Sequence, residues 1–61
     1  MADIPDDIER DARDMMRQFG DAAGHIARLR AEIAEKNIGN QRLAETWRDI
    51  ADAIERLLER P

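Results

Sequence analysis

His25 is the chain's one histidine, and Asp21 lies one helical turn before it. A histidine acquires acid–base or metal chemistry only with an oriented partner, and a carboxylate at i−4 would share its helical face. Two groups do not complete a metal site, and Asp21 is also placed to cap a helix. The sequence therefore predicts a structural or solvent-exposed histidine and no metal site.

The other residue types needed for catalysis are missing or out of place. The chain contains no serine and no cysteine, so it has no serine or cysteine nucleophile and no disulfide. It also has neither a phosphate-binding glycine-rich loop nor a Glu-x-x-His ligand pair. We therefore expect a protein that is not an enzyme and that uses no cofactor.

Three arginines could line one edge of the first predicted helix and contact the phosphates of a structured RNA: Arg10, Arg13 and Arg17. The acidic residues between them cancel most of the local field, namely Glu9, Asp11 and Asp14. The chain as a whole carries 10 basic and 14 acidic residues, a formal net charge of −4. These charges favour a solvated helix face, and RNA binding by a helical-hairpin dimer is the alternative.

The elements that carry these residues are predicted to be helices. Valine, tyrosine, serine and cysteine are absent and there is one threonine, so strand-forming residues are scarce and helix formers dominate. Sixty-one residues suffice for one small domain, 1–61, with a thin core. No signal-peptide pattern or membrane-spanning apolar run is present, so we expect a cytoplasmic protein with no membrane partner.

Apolar residues recur with alternating spacings of four and three along the first half of the chain. We call them the long stripe: Ile8, Ala12, Met15, Phe19, Ala22, Ile26, Leu29 and Ile33. A turn at Asn37-Ile38-Gly39-Asn40 follows, with Gly39 suited to a positive φ and Asn40 to an N-cap. The same spacing resumes after it, which predicts an all-α small helical bundle with helices over 5–18, 21–36 and 41–60.

The segment Phe19-Gly20-Asp21 leaves two readings open. Gly20 could end one helix and Asp21 could cap the next, or the first two helices could be one kinked helix through which the heptad phase runs without a slip. A break would let the first helix fold back, and a continuous helix would overhang its partner and need a second chain. Both readings predict self-association, most simply a homodimer.

The stripes also predict which side chains fill the interior. Those expected in the core, or in a dimer core, are Ile8, Ile26, Leu29, Ile33, Leu43, Trp47, Ile50, Ile54 and Leu57. A separate strip of small residues flanks them and could let helices approach closely: Ala23, Ala27, Ala31 and Ala34.

Met15, Met16 and Phe19 form the most adaptable apolar cluster, because methionine repacks easily against varied partners. They are the candidate interaction surface for a protein partner. The competing interpretation places Met15 and Phe19 in the core, in phase with the long stripe, with Met16 at its edge.

Four segments carry a resemblance to known proteins: Met15-Met16, Phe19-Gly20-Asp21-Ala22-Ala23, Ala27-x-x-Arg30-Ala31 and Trp47-x-x-Ile50-x-x-Ala53-Ile54. Over residues 10–58 the chain resembles short uncharacterised all-helical proteins of alphaproteobacterial genomes. It departs from them at its turn, where Asn37-Ile38-Gly39-Asn40 replaces a more usual Gly-Asp. The group has no assigned activity, so the resemblance implies a helical fold and no functional residue.

These patterns together predict a non-catalytic protein-interaction or regulatory module that self-associates through its heptad-spaced stripes. The alternatives are the RNA-binding dimer using Arg10, Arg13 and Arg17 and a purely structural obligate oligomer.

Overall fold

The computed structural model describes residues 5–59, and every regular element in that range is helical. Helix α1 spans Asp6–Phe19 and is followed by a 3₁₀ turn, Gly20–Ala22. Helix α2 spans Ala23–Ile33 and runs into a π-helical turn, Ala34–Ile38, and α3 spans Gln41–Glu59. The predicted all-α fold is confirmed. Residue 60, predicted at the end of the last helix, lies outside the described residues.

Helix α1 begins where the sequence predicted, within one residue. Pro5 precedes it, and the Pro5 carbonyl accepts the N–H of Glu9 at 2.9 Å, which closes the first turn. Asp6, Asp7 and Glu9 supply negative charge to that turn, where the helix dipole is positive. The helix ends at Phe19 rather than at residue 18.

Gly20 breaks the helix between α1 and α2. Its φ of 60° and ψ of −131° lie in a region that favours glycine, and its N–H still donates to the Met16 carbonyl. Of the two sequence readings, this chain has the break. Asp21 is not the predicted N-cap, because it lies inside the 3₁₀ turn and α2 starts after Ala22 with no side-chain cap.

The turn between α2 and α3 uses the predicted residues, but α2 ends earlier than predicted. Gly39 takes a left-handed conformation at φ 73°, and Asn40 caps α3 by accepting the Leu43 N–H at 3.0 Å on its Oδ1. The α-helical part of α2 ends at Ile33, however, and not at residue 36. The π turn widens the helix there, and its Ala34 carbonyl accepts N–H groups from Gly39 and Asn40.

Helices α1 and α2 both pack on α3 and contact each other less than either contacts α3. Helices α2 and α3 form an antiparallel hairpin, and α1 packs on α3 at the hairpin end away from the 34–40 turn. One cluster holds most of the buried side chains: Ala12, Met15, Ala23, Ala27, Ile50, Ala51, Ala53 and Ile54. Further alanines are buried nearer the turn: Ala31, Ala34 and Ala44.

Helix α2 uses its alanine strip, and not the long stripe, against α3. The strip residues Ala23, Ala27, Ala31 and Ala34 are all buried. Small side chains let the two helix axes approach closely, so the larger residues one position away are turned to the flank. The close contact fixes which face of α2 is inside.

The predicted core residues fall into a buried or half-buried group and an exposed group. Ile50 and Ile54 are buried, and four more pack half-buried against the core: Ile8, Ile26, Trp47 and Leu57. The prediction is wrong for the interior of the single chain at Leu29, Ile33 and Leu43, which are exposed. Leu29 and Ile33 lie off the alanine face of α2, and Leu43 lies at the turn end of α3, which α1 does not cover.

A pair of alanine substitutions tests which face of α2 is inside. Ala27→Leu should lower the free energy of unfolding by about 1–3 kcal/mol, because Ala27 is fully buried and a larger side chain overpacks the helix contact. Ala22→Leu is the matched control, since Ala22 belongs to the long stripe but is exposed. Urea denaturation of dilute protein measures both, and a larger loss for Ala22→Leu would contradict the observed packing.

Candidate interaction surface

The α2–α3 hairpin has two sides of different chemistry. Arg28 and Arg30 are two residues apart, which places them about 200° apart around α2. Arg28 reaches Glu55 and Asp52 of α3, whereas Arg30 reaches the Trp47 ring. The two arginines therefore identify a polar side and an apolar side of the hairpin.

The polar side is closed by ion pairs between the helices. Arg28 donates to Glu55 at 2.7 Å and lies 3.7 Å from Asp52. The Glu55 hydrogen bond, together with its negative charge, raises the pKa of the Arg28 guanidinium. Nearer the turn, Arg48 of α3 bonds Glu35 at 2.6 Å. These donors and acceptors already have partners, so this side offers little to another molecule.

Arg30 lies across the apolar side, held by aromatic rings. Its guanidinium carbon is 5.1 Å from the Trp47 ring centroid and 5.7 Å from that of Phe19, both within cation–π range. Its Nη1 also approaches the Met15 sulfur at 3.9 Å. Among residues 5–59 no carboxylate lies within ion-pair distance of it. Arg30 thus joins all three helices and keeps hydrogen-bonding capacity.

Large apolar side chains lie exposed on both helices of the hairpin. We call three of them the exposed patch: Leu29, Ile33 and Leu43, with 44%, 48% and 37% of their surface accessible. Ile38 in the turn and Leu58 near the end of α3 are also exposed. Ile33 is one turn beyond Arg30 on α2, and Leu43 is one turn before Trp47 on α3. Since Arg30 contacts Trp47, Ile33 and Leu43 lie on the same side of the hairpin. Ile33 and Leu43 therefore lie at its turn end, and Leu29 lies one turn before Ile33 on α2.

Charged residues of both signs border the patch. A shallow groove of about 270 Å³ runs along α2 past Leu29 and Ile33, with Glu32, Lys36 and Asn37 as its other walls. Lys36 donates to Glu32 at 3.0 Å, and this hydrogen bond raises the pKa of the lysine ammonium. The rim carries a carboxylate and an ammonium on one edge and the Arg30 guanidinium on the other.

The cluster predicted as the interaction surface faces inward instead. Met15 is buried, and Met16 and Phe19 are half-buried against the core. This agrees with the competing interpretation, in which Met15 and Phe19 follow the long stripe into the interior and Met16 covers its edge. The predicted free surface is wrong at Met15, which is buried because α1 folds onto α3, while Met16 and Phe19 stay partly exposed.

The arginines of α1 lie among acidic neighbours. Arg13 bonds Glu9 at 3.0 Å, and Arg17 lies 3.9 Å from Asp14. Arg10 shares the same helix surface with Asp6, Glu9 and Asp14. Arg13 and Arg17 also border a shallow cleft of about 500 Å³ over Met16 and Leu57. The observed pairs match the predicted local charge cancellation.

His25 is exposed, and the structure places no partner on it within residues 5–59. That part of the chain also holds no group of three or more metal-ligating side chains. None of its helices combines the length and the apolar character needed to cross a membrane.

Comparison with protein-family models, with curated proteins and with solved structures gives no match. The resemblance to alphaproteobacterial helical proteins therefore stays a prediction, and function has to be inferred from the surface of this chain.

Sequence reasoning missed the role of Arg30. The residue sits one position after Leu29 of the long stripe, which is a flanking position of a heptad pattern. That position indicates a helix edge, but the sequence does not show that the edge faces Trp47. Only the close α2–α3 contact brings the guanidinium to the ring.

A double-mutant cycle measures the Arg30–Trp47 contact. We expect Arg30→Met and Trp47→Leu to show a coupling energy of about 0.5–1 kcal/mol in urea denaturation, the size of an exposed cation–π interaction. Arg17→Met is the control partner for Trp47→Leu, because the Arg17 side chain is 80% exposed and interacts with Asp14. Zero coupling for Arg30 would show that the guanidinium does not hold this position in solution.

Proposed function

We propose that this protein is a non-catalytic interaction module that acts as a homodimer, with the exposed patch Leu29, Ile33 and Leu43 inside the interface. A cytoplasmic location is part of the proposal. One observation carries it: large apolar residues in heptad register lie outside a core that is built mainly of alanine.

The make-up of the core explains why a second chain would be needed. Eight of the eleven buried apolar residues are alanine, and Ile54 is the largest side chain that is fully buried. Each buried CH₂ contributes about 0.8 kcal/mol, so alanines supply much less stabilisation than the leucines and isoleucines left outside. A chain this short has little other means of support, since it has no disulfide.

The spacing of the patch favours a helix as its occupant. Ile26, Leu29 and Ile33 follow each other at three and four residues, the pattern by which one α-helix packs on another. The rim carries both signs of charge, with Glu32 and Lys36 on one edge and Arg30 on the other. A surface with mixed charges can pair with a copy of itself, whereas a partner of one sign would meet repulsion at one edge.

The size of the patch requires the interface to extend beyond it. A stable interface buries about 800 Å² on each partner, and three half-exposed side chains supply much less than that. The dimer must therefore use further apolar surface, and the partly buried residues of the long stripe are adjacent to the patch.

A charge placed in the patch tests the proposal. We expect wild-type protein to be dimeric in sedimentation equilibrium and Ile33→Glu to raise the dissociation constant at least about tenfold, because a carboxylate would be buried at the interface. Far-ultraviolet circular dichroism of each sample checks that the helices persist.

Leu58→Glu is the matched control for that variant. Leu58 is a similarly exposed apolar residue, at 50%, but it lies 15 residues from Leu43 at the other end of α3. It should leave the dissociation constant unchanged. A wild-type monomer at all concentrations, or equal weakening by both variants, would contradict the proposed interface.

A further inference from the structure

The long stripe continues in phase through Gly20 although the helix does not. Its spacings alternate between four and three from Ile8 to Ile33 without a slip, as they would in one uninterrupted helix. In the folded chain the two halves of the stripe lie in different environments. The α1 half packs on the core through Ala12 and Met15, while Leu29 and Ile33 of the α2 half face outward.

Gly20 is the point at which these two halves are separated. Its torsion angles of 60° and −131° turn α1 away from the direction of α2. A Cβ built on Gly20 meets no atom within 4 Å, so torsion, and not lack of space, requires glycine here. Helical torsions at residues 20–22 would join α1 and α2 and place the whole long stripe on one face.

We propose that the dimer forms by exchange of α1: Gly20 straightens, residues 6–33 become one helix, and two such helices pair antiparallel along the long stripe. This inference rests on the homodimer proposed above and specifies its structure. The joined helix of 28 residues would be about 42 Å long. Each α1 would leave its own hairpin and lie on the apolar side of the partner's hairpin.

The order of residues in the stripe fits a two-fold axis between positions 20 and 21. The sequence of spacings is the same in both directions, so an antiparallel pair keeps every layer in register. Ile33 then meets the partner's Ile8, and Leu29 meets the partner's Ala12. Ile26 meets the partner's Met15, and Ala22 meets the partner's Phe19. The exposed half of one stripe is thereby covered by the α1 half of the other.

The charges beside the stripe support the antiparallel direction. Glu9 follows Ile8 and Arg30 follows Leu29, and Ile8 and Leu29 occupy the same position of the heptad. The residues directly after that position face each other across an antiparallel helix pair. Arg30 would gain the partner's Glu9 as its carboxylate. Glu9 would release Arg13, an exposed i,i+4 pair that contributes little. Asp11 would come near the partner's Glu32, whose charge Lys36 already offsets at 3.0 Å.

The exchange also provides the additional interface area. The partner's α1 would cover Leu29 and Ile33, and the two joined helices would contact each other along the full length of their stripes. Leu43 lies across the hairpin from Ile33, so it borders the same incoming helix. The interface then includes Leu29, Ile33 and the α1 half of each long stripe.

Two substitutions at the hinge should change the dissociation constant in opposite directions. Gly20→Ala should lower it about tenfold or more, because alanine is strained at the present torsions but favours a helix. Asp21→Pro should raise it about a hundredfold, because proline breaks a helix interior. Proline suits the closed turn, where the recorded hydrogen bonds come from the N–H groups of Gly20 and Ala23 and not from Asp21.

Gly24→Ala separates the hinge effect from general helix propensity. Gly24 lies within α2 in both arrangements, and its new Cβ would make an ordinary contact of 3.7 Å with Ile54 Cγ2. It should leave the dissociation constant unchanged. Sedimentation equilibrium supplies the constants, and hydrogen exchange supplies a second readout, since the Asp21 amide should become protected in the dimer, whereas Ala23 already donates a hydrogen bond in the closed turn.

The outcomes distinguish the exchange from dimerisation itself. A wild-type dimer that Gly20→Ala does not strengthen, and that Asp21→Pro does not weaken, overturns the exchange and leaves self-association standing. Wild-type and Gly20→Ala proteins that are both monomeric at all concentrations overturn both proposals. Opposite shifts at positions 20 and 21 with no shift at Gly24 support the exchange.

Discussion

The close approach of α2 and α3 through alanine is the contact on which the rest of this structure depends. Three alanines spaced along α2 are buried together with Ala34 at the start of the π turn, and Ala44 and Ala51 of α3 are buried as well. Because the α2 face carries no side chain longer than alanine, the larger residues of α2 are placed on the flanks of the contact. Ion pairs close one flank, at Arg28 with Glu55, and aromatic packing around Arg30 occupies the other.

The α2–α3 contact limits where α1 can pack. Helix α1 brings its own stripe to α3, through Ala12 and Met15, and leaves the turn end of the hairpin uncovered. Gly20 makes this packing of α1 on α3 possible, because its torsion angles let the stripe of α1 point in a different direction from the stripe of α2. A chain of this length thus buries many small residues and leaves Leu29, Ile33 and Leu43 outside.

The functional proposals follow from that distribution of apolar surface rather than from any reactive group. His25 has no partner within residues 5–59, and the arginines of α1 lie among carboxylates. What the surface offers is a helical stripe with a rim of mixed charge, which fits another helix of the same composition. In the proposed exchange, the α1 half of the long stripe would pack on its own chain in the monomer and on the partner in the dimer. The torsion angles of Gly20 would determine which of the two forms.

The sequence by itself determined the all-α class, the position of the main turn, and the residues that shape it. Gly39 and Asn40 have the predicted roles because a left-handed glycine and an N-cap are local properties of a few residues. It also identified Gly20 as a candidate helix break, but heptad phase favoured a continuous helix there and glycine chemistry favoured a break. The tertiary structure decided for the break, since α1 gains contact with α3 by folding back.

The tertiary structure alone decided which face of α2 is inside. The stripe Ile26–Leu29–Ile33 and the alanine strip beside it are both regular helical patterns, and hydrophobicity favours the larger residues. Periodicity gives the angle between two faces of one helix, but it does not give the distance to the neighbouring helix. Here the α2 residues buried against α3 are alanines, while Leu29 and Ile33 lie outside, and Arg30 reaches Trp47.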